Sequence, residues 1–164
     1  MYVFDLDGTL RDVTSGDWLV PSDITRTENW VTWQKWVNWT SKPHWSTVEM
    51  FNLVVRNHVD TVILTSSQFG TLDWCLKHGV DADYSAIYER RKDDHRGSFQ
   101  YKKDFIDKHL RSIELWVDDD TRVCEYAKSV GIPVINVKFL PTDRANPCKL
   151  RRWAFLLLLK RGLL

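Results

Sequence analysis

A chain of 164 residues, 43% apolar and 27% charged with a net charge of +1, has room for one compact domain with a real core and too little for two full-sized ones. Its composition argues against a disordered or membrane-embedded chain, and its near-neutral charge argues against a protein whose main work is coating duplex DNA. Three widely spaced cysteines, Cys75, Cys124 and Cys148, fit reduced thiols better than a disulfide framework or a zinc site. No charged and apolar leader precedes the first apolar run, so a cytoplasmic location is expected.

In chain order, apolar runs at residues 2–4, 59–64, 115–117 and 134–137 read as buried strands of a parallel sheet, with a further short strand at 85–88. Between them, residues 47–57, 72–78, 102–110 and 121–130 carry apolar residues at helical spacing, the last stretch ending at Gly131 with Pro133 beyond. Alternating strands and helices predict a three-layer, Rossmann-like α/β domain spanning 1–164, with ligands at the carboxyl ends of the strands.

Two stretches break this rhythm. Residues 11–46 are rich in tryptophan and sit where a small helical cap would be inserted. Trp30, Trp33, Trp36 and Trp39 recur every three residues, with Trp18 and Trp45 nearby; they serve mainly as anchors of the insert, with one or two turned to substrate. Residues 149–164 form a tail in which WAFLLLL lies between basic residues. That run is too short to span a bilayer, for which about 20 residues are needed. A helix docked on the core is the reading preferred for it, beside a homodimer contact or an interfacial membrane helix.

The chemistry lies at the strand ends. Asp5 and Asp7 in FDLDGTL stand two apart and therefore project to one side. Two carboxylates sharing a small site call for a cation, and Mg²⁺ held by oxygen is the natural one near neutral pH. One carboxylate can then attack phosphorus while the other exchanges protons. Read alone, the stretch is also compatible with an ordinary acidic turn. A second acidic strand end, Asp118, Asp119 and Asp120 after Val117, would meet the first at one metal. Thr65, Ser66 and Ser67 follow a third strand and could hold phosphate oxygens or merely cap a helix. The cation-dense stretch ERRKDDHRGSFQYKK could supply a charge to the phosphoryl group.

The order DxDGT, strand-terminal Thr or Ser, Lys, then DD resembles the four motifs of haloacid dehalogenase-type phosphatases over residues 2–137. That resemblance implies Asp5 as nucleophile, Asp7 as general acid/base, Thr65 as phosphate-binding hydroxyl and Lys102 as charge clamp. It further implies Mg²⁺ held by Asp5, Asp118, Asp119 and the Asp7 main-chain carbonyl. The runs RKDD, KKDFIDKHL and VDDDTRVCEYAKSVGI look like the phosphatase half of phage-type polynucleotide kinase/phosphatases. This closer likeness implies a 3′-phosphatase for nucleic-acid ends or a nucleotide phosphatase, with Arg90 or Arg91 contacting substrate beside Ser66, whose place after the third strand already offers it to the phosphate. The arginine that family has after its second motif is replaced here by Ser67 or Gln68, and Asp120 stands where another is common. No P-loop is present, so the kinase half is not expected. A 5′-nucleotidase, a signalling-nucleotide phosphatase and a non-catalytic binding protein on the same scaffold are the alternatives.

Overall fold

The computed structural model describes residues 1–139 and Leu156. Five parallel strands make the central sheet: β1 (Tyr2–Phe4), β4 (Thr61–Thr65), β5 (Ile87–Glu89), β6 (Leu115–Asp118) and β7 (Val134–Asn136). Their order in space is β5-β4-β1-β6-β7, so β1 is central and its three residues are all buried. Period-two alternation then sorts the side chains. Tyr2, Phe4, Ile63, Leu115 and Val117 face one layer with Phe51, Val54 and Trp74, whereas Val3, Val62, Leu64 and Trp116 face the other with Ile106, Val123 and Ala127.

The first layer is built from α2 (Trp45–Arg56) and α3 (Thr71–Lys77), the second from α4 (Ser98–His109) and α5 (Thr121–Ser129). Phe4 meets Phe51 edge-on with ring centroids 5.2 Å apart. Full burial of each such side chain contributes about 1.5–3 kcal/mol. The three-layer α/β expectation therefore holds, with element ends shifted by a few residues. The largest shift is at α4, which begins at Ser98 rather than 102 because its first turn, Ser-Phe-Gln-Tyr, carries no apolar period to betray it. On that helix Lys102 and Ile106, one turn apart, are both buried.

Between β1 and α2 the chain forms a ribbon of β2 (Arg11–Asp12) and β3 (Lys42–Pro43), two 3₁₀ turns at Thr14–Leu19 and Thr27–Trp30, and helix α1 (Val31–Thr40). Three-residue spacing on a helix turns by about 60° per step, so a run of tryptophans cannot stay on one face. Trp33 is accordingly buried while Trp39 is exposed. The indole N–H groups of Trp18 and Trp36 both donate to the Ser15 carbonyl, at 3.1 and 2.8 Å, so Trp36 ties the first turn to α1, and that of Trp30 donates to the Ile24 carbonyl within the insert. No helix among the described residues is long and apolar enough to cross a membrane. The expected tail helix at 149–164, Leu156 apart, and Cys148 lie outside the described residues.

Candidate active site

β1 ends at Phe4, and the next N–H, that of Asp5, still pairs with the Val117 carbonyl at 2.9 Å, so Asp5 leaves the sheet beside the end of β6. Gly8 then turns the chain with φ +84°. A Cβ at Gly8 would stand 2.4 Å from an Asp119 carboxylate oxygen, so glycine is required both by the turn and by the approach of the second acidic strand end.

Lys102 is 3% exposed, and its Nζ lies 2.8 Å from Asp5 Oδ1 and 2.8 Å from Asp118 Oδ2. It bridges the two acidic strand ends that the sequence places 113 residues apart. Asp118 is further fixed by the Trp116 indole N–H at 3.1 Å and the Asp120 main-chain N–H at 2.9 Å. Asp5 Oδ2, by contrast, is buried without a hydrogen-bond partner. Carboxylate oxygens of Asp5, Asp118 and Asp119 lie within 4.8 Å of one another. Three carboxylates around one ammonium leave the cluster negative, and an orphaned carboxylate oxygen among hard oxygen donors fits a magnesium ion.

The electrostatics agree. Burial pushes the Asp5 carboxyl well above the usual range; Lys102 opposes the rise, and Asp118, Asp119 and Asp7 add to it. Asp119 is raised by burial and then by Asp118. Burial pulls Lys102 down, but Asp118 and Asp5 outweigh it and hold the ammonium charged. A carboxyl raised in the folded state favours folding fully below its ordinary value near 3.8 and loses that contribution as pH rises through the folded value. Metal-free protein should therefore become less stable as pH climbs above that range, and Mg²⁺ should reverse the loss. Thermal unfolding across pH is the check, with about 2.7 kcal/mol expected at 100 times the dissociation constant. A midpoint indifferent to Mg²⁺ at neutral pH would contradict a metal centre at these three residues.

Asp7 faces elsewhere. Its Oδ1 accepts from Arg11 Nε at 2.6 Å, and its Oδ2 from Ser67 Oγ at 2.8 Å and Thr65 Oγ1 at 3.4 Å, so its carboxylate is outside the three-carboxylate cluster. Thr65 is fully buried, with its hydroxyl also accepting from Ser67 N–H at 3.0 Å. Ser66, rather than Thr65, lines the acidic cavity of about 470 Å³, together with Asp5, Asp7, Lys102, Asp119 and Asp120. Its rim adds Ser98, Thr121, Arg122 and Lys138, none of which the sequence pattern singled out. Their signal was positional: Arg122 and Lys138 closely follow the carboxyl ends of β6 and β7, the edge where such sheets bind ligands.

Arg90 and Arg91 are placed apart from that lining. They border a neighbouring open cleft of about 720 Å³ with Gln68 and Tyr84. Arg90 is buried and donates to the Arg96 carbonyl at 2.6 Å, while Arg91 is exposed and pairs with Asp93 at 3.1 Å. No tryptophan among the described residues lines either the cavity or the cleft.

Comparison with known proteins adds family and fold. The family model described as the polynucleotide kinase PNKP phosphatase domain matches residues 1–139. Among solved structures, a hydrolase from Pseudomonas syringae is similar over 81% of each chain, with 17% identity and a TM-score of 0.53, a likeness of fold alone. A hypothetical protein from Pyrococcus horikoshii is aligned over 96% of this chain and 53% of its own, at 15% identity and a TM-score of 0.31, too loose to bear on either question. No curated protein matches.

Proposed function

Because the chain belongs to the polynucleotide kinase phosphatase-domain family, a haloacid dehalogenase-type lineage, we propose that it is a magnesium-dependent phosphomonoesterase acting on 3′-phosphate ends of nucleic acid or on nucleotides. The observation that carries this reading is Lys102 spanning Asp5 and Asp118 beside the unpartnered Asp5 Oδ2.

Asp5, which borders the cavity, supplies the nucleophilic carboxylate oxygen. It attacks phosphorus, the bond to the leaving oxygen breaks, and Asp7, which borders the same cavity, supplies the proton that oxygen needs. Water then attacks the phosphorus on Asp5, the bond between phosphorus and the Asp5 oxygen breaks to release inorganic phosphate, and Asp7 takes the proton back. Asp5, Asp118, Asp119 and the Asp7 main-chain carbonyl would hold the Mg²⁺, which supplies positive charge to the phosphoryl oxygens when bound. Lys102 keeps Asp5 oriented through Oδ1. Ser66 supports the phosphoryl group, and Arg122 and Lys138 at the rim add cationic contacts for the rest of an anionic substrate.

The test is a phosphate-release screen over 3′-phosphorylated oligonucleotides, 3′- and 5′-mononucleotides and sugar phosphates with Mg²⁺. The highest kcat/KM is expected on a 3′-phosphorylated oligonucleotide. Preference for 5′-mononucleotides would move the assignment to a nucleotidase, and turnover of none of the nucleic-acid-derived substrates would end the substrate claim.

A further inference from the structure

Arg11 has no exposed surface, although it follows directly on the DLDGTL turn at the start of β2. A guanidinium removed from water needs a carboxylate and a filled set of acceptors. Arg11 finds them in separate parts of the fold. Its Nε donates to Asp7 Oδ1 at 2.6 Å, its Nη1 to Asn38 Oδ1 on α1 at 2.6 Å and its Nη2 to Ser67 Oγ after β4 at 3.4 Å. Its guanidinium carbon sits 5.7 Å from the ring centroid of Trp74 on α3.

Asp7 is thereby held from two sides. Oδ1 is taken by the Nε–H of a rigid guanidinium whose other arms are held by Asn38 and Ser67, and Oδ2 is left to two rotatable hydroxyls, Ser67 and Thr65. Asn38 has a second tie, from Nδ2 to the Phe69 carbonyl at 3.0 Å, and Gln34, one turn earlier on α1, accepts from Gln68 N–H at 3.1 Å. The insert is therefore seated on the loop after β4 by Gln34 and by Asn38, which also braces Arg11.

We propose that Arg11 is a positioning residue for Asp7: its guanidinium, held by Asn38 and Ser67, anchors Oδ1 through Nε, presents Oδ2 as the working oxygen, and makes this orientation depend on α1 being seated. Arg11 does not line the acidic cavity, so it acts through Asp7 and not on the substrate. The inference rests on the phosphatase reading above.

Arg11→Lys keeps the charge and loses the planar group that reaches Asp7, Asn38 and Ser67 at once. Its kinetics are compared with the parent on two substrates: a 3′-phosphorylated oligonucleotide, whose alcohol leaves poorly, and p-nitrophenyl phosphate, whose phenolate leaves without a proton. Misplacing a general acid should lower kcat about 100-fold on the oligonucleotide and less than about 10-fold on p-nitrophenyl phosphate, with KM changed by no more than about threefold. Asn38→Leu, which removes one brace and leaves the guanidinium in place, should shift the ratio of the two kcat values in the same direction by a smaller factor. Equal losses on both substrates, or parental kcat on both, in folded Arg11→Lys would overturn the proposal. Should Arg11→Lys fail to fold, an unchanged ratio in Asn38→Leu overturns it instead. A parent protein that turns over neither substrate removes the phosphatase premise and the proposal with it, whereas an active parent with an unmoved ratio refutes the proposal alone.

Discussion

Replacing Lys102 with methionine is expected to destabilise the fold by about 3–5 kcal/mol, the range for leaving a buried charge without its partner, and to stop turnover. Lys102 is the only cation within ion-pair distance of Asp5 and Asp118 among the described residues, and those two carboxylates are 3% and 0% exposed. Methionine fills the volume, so the loss reports charge and not a cavity. Two conditions should shrink it. Lower pH should do so because protonated Asp5 needs no counter-charge, and added Mg²⁺ because it brings positive charge to the same oxygens. Urea unfolding with and without Mg²⁺ at several pH values checks all three statements. A loss independent of both conditions would mean that the role of Lys102 is packing.

Asp5→Asn separates chemistry from stability in the opposite way. It removes the nucleophilic oxygen, so turnover should fall by roughly 10⁴-fold or more. It also removes one of three carboxylates from a cluster with a single ammonium, so metal-free stability should stay level or rise. Lys102→Met should thus lose activity and stability together, and Asp5→Asn activity alone. Parallel unfolding and phosphate-release assays read both, and a marked loss of stability in Asp5→Asn would contradict the crowded-carboxylate picture.

Much of this was legible in the sequence because the pattern and the physics coincide. The buried strands announced themselves as short apolar runs, and two acidic strand ends could meet only if their strands were neighbours, as β1 and β6 are. Lys102 was legible only through motif order, since the cation-dense stretch around it offers many candidates and local spacing does not say which one turns inward. The start of α4 was hidden for the related reason that Lys102 occupies the buried face of that helix and breaks its apolar period. Arg11 was invisible as a functional residue. Its partners Asn38, Ser67 and Trp74 lie 27, 56 and 63 residues away, and no local pattern reports such contacts. Thr65 and Ser66 show the limit of reading a strand end: adjacent hydroxyls point to opposite sides, and which one meets the cavity depends on the exact end of the strand.

The central claim is that Asp5 is phosphorylated during turnover. Its most direct test is acid quenching of the protein during Mg²⁺-dependent hydrolysis of a 3′-radiophosphorylated oligonucleotide, followed by peptide mapping. Hydroxylamine-labile label is expected on the N-terminal peptide containing Asp5 and absent from Asp5→Asn. Turnover that proceeds with no label on that peptide, or that survives in Asp5→Asn, would contradict it.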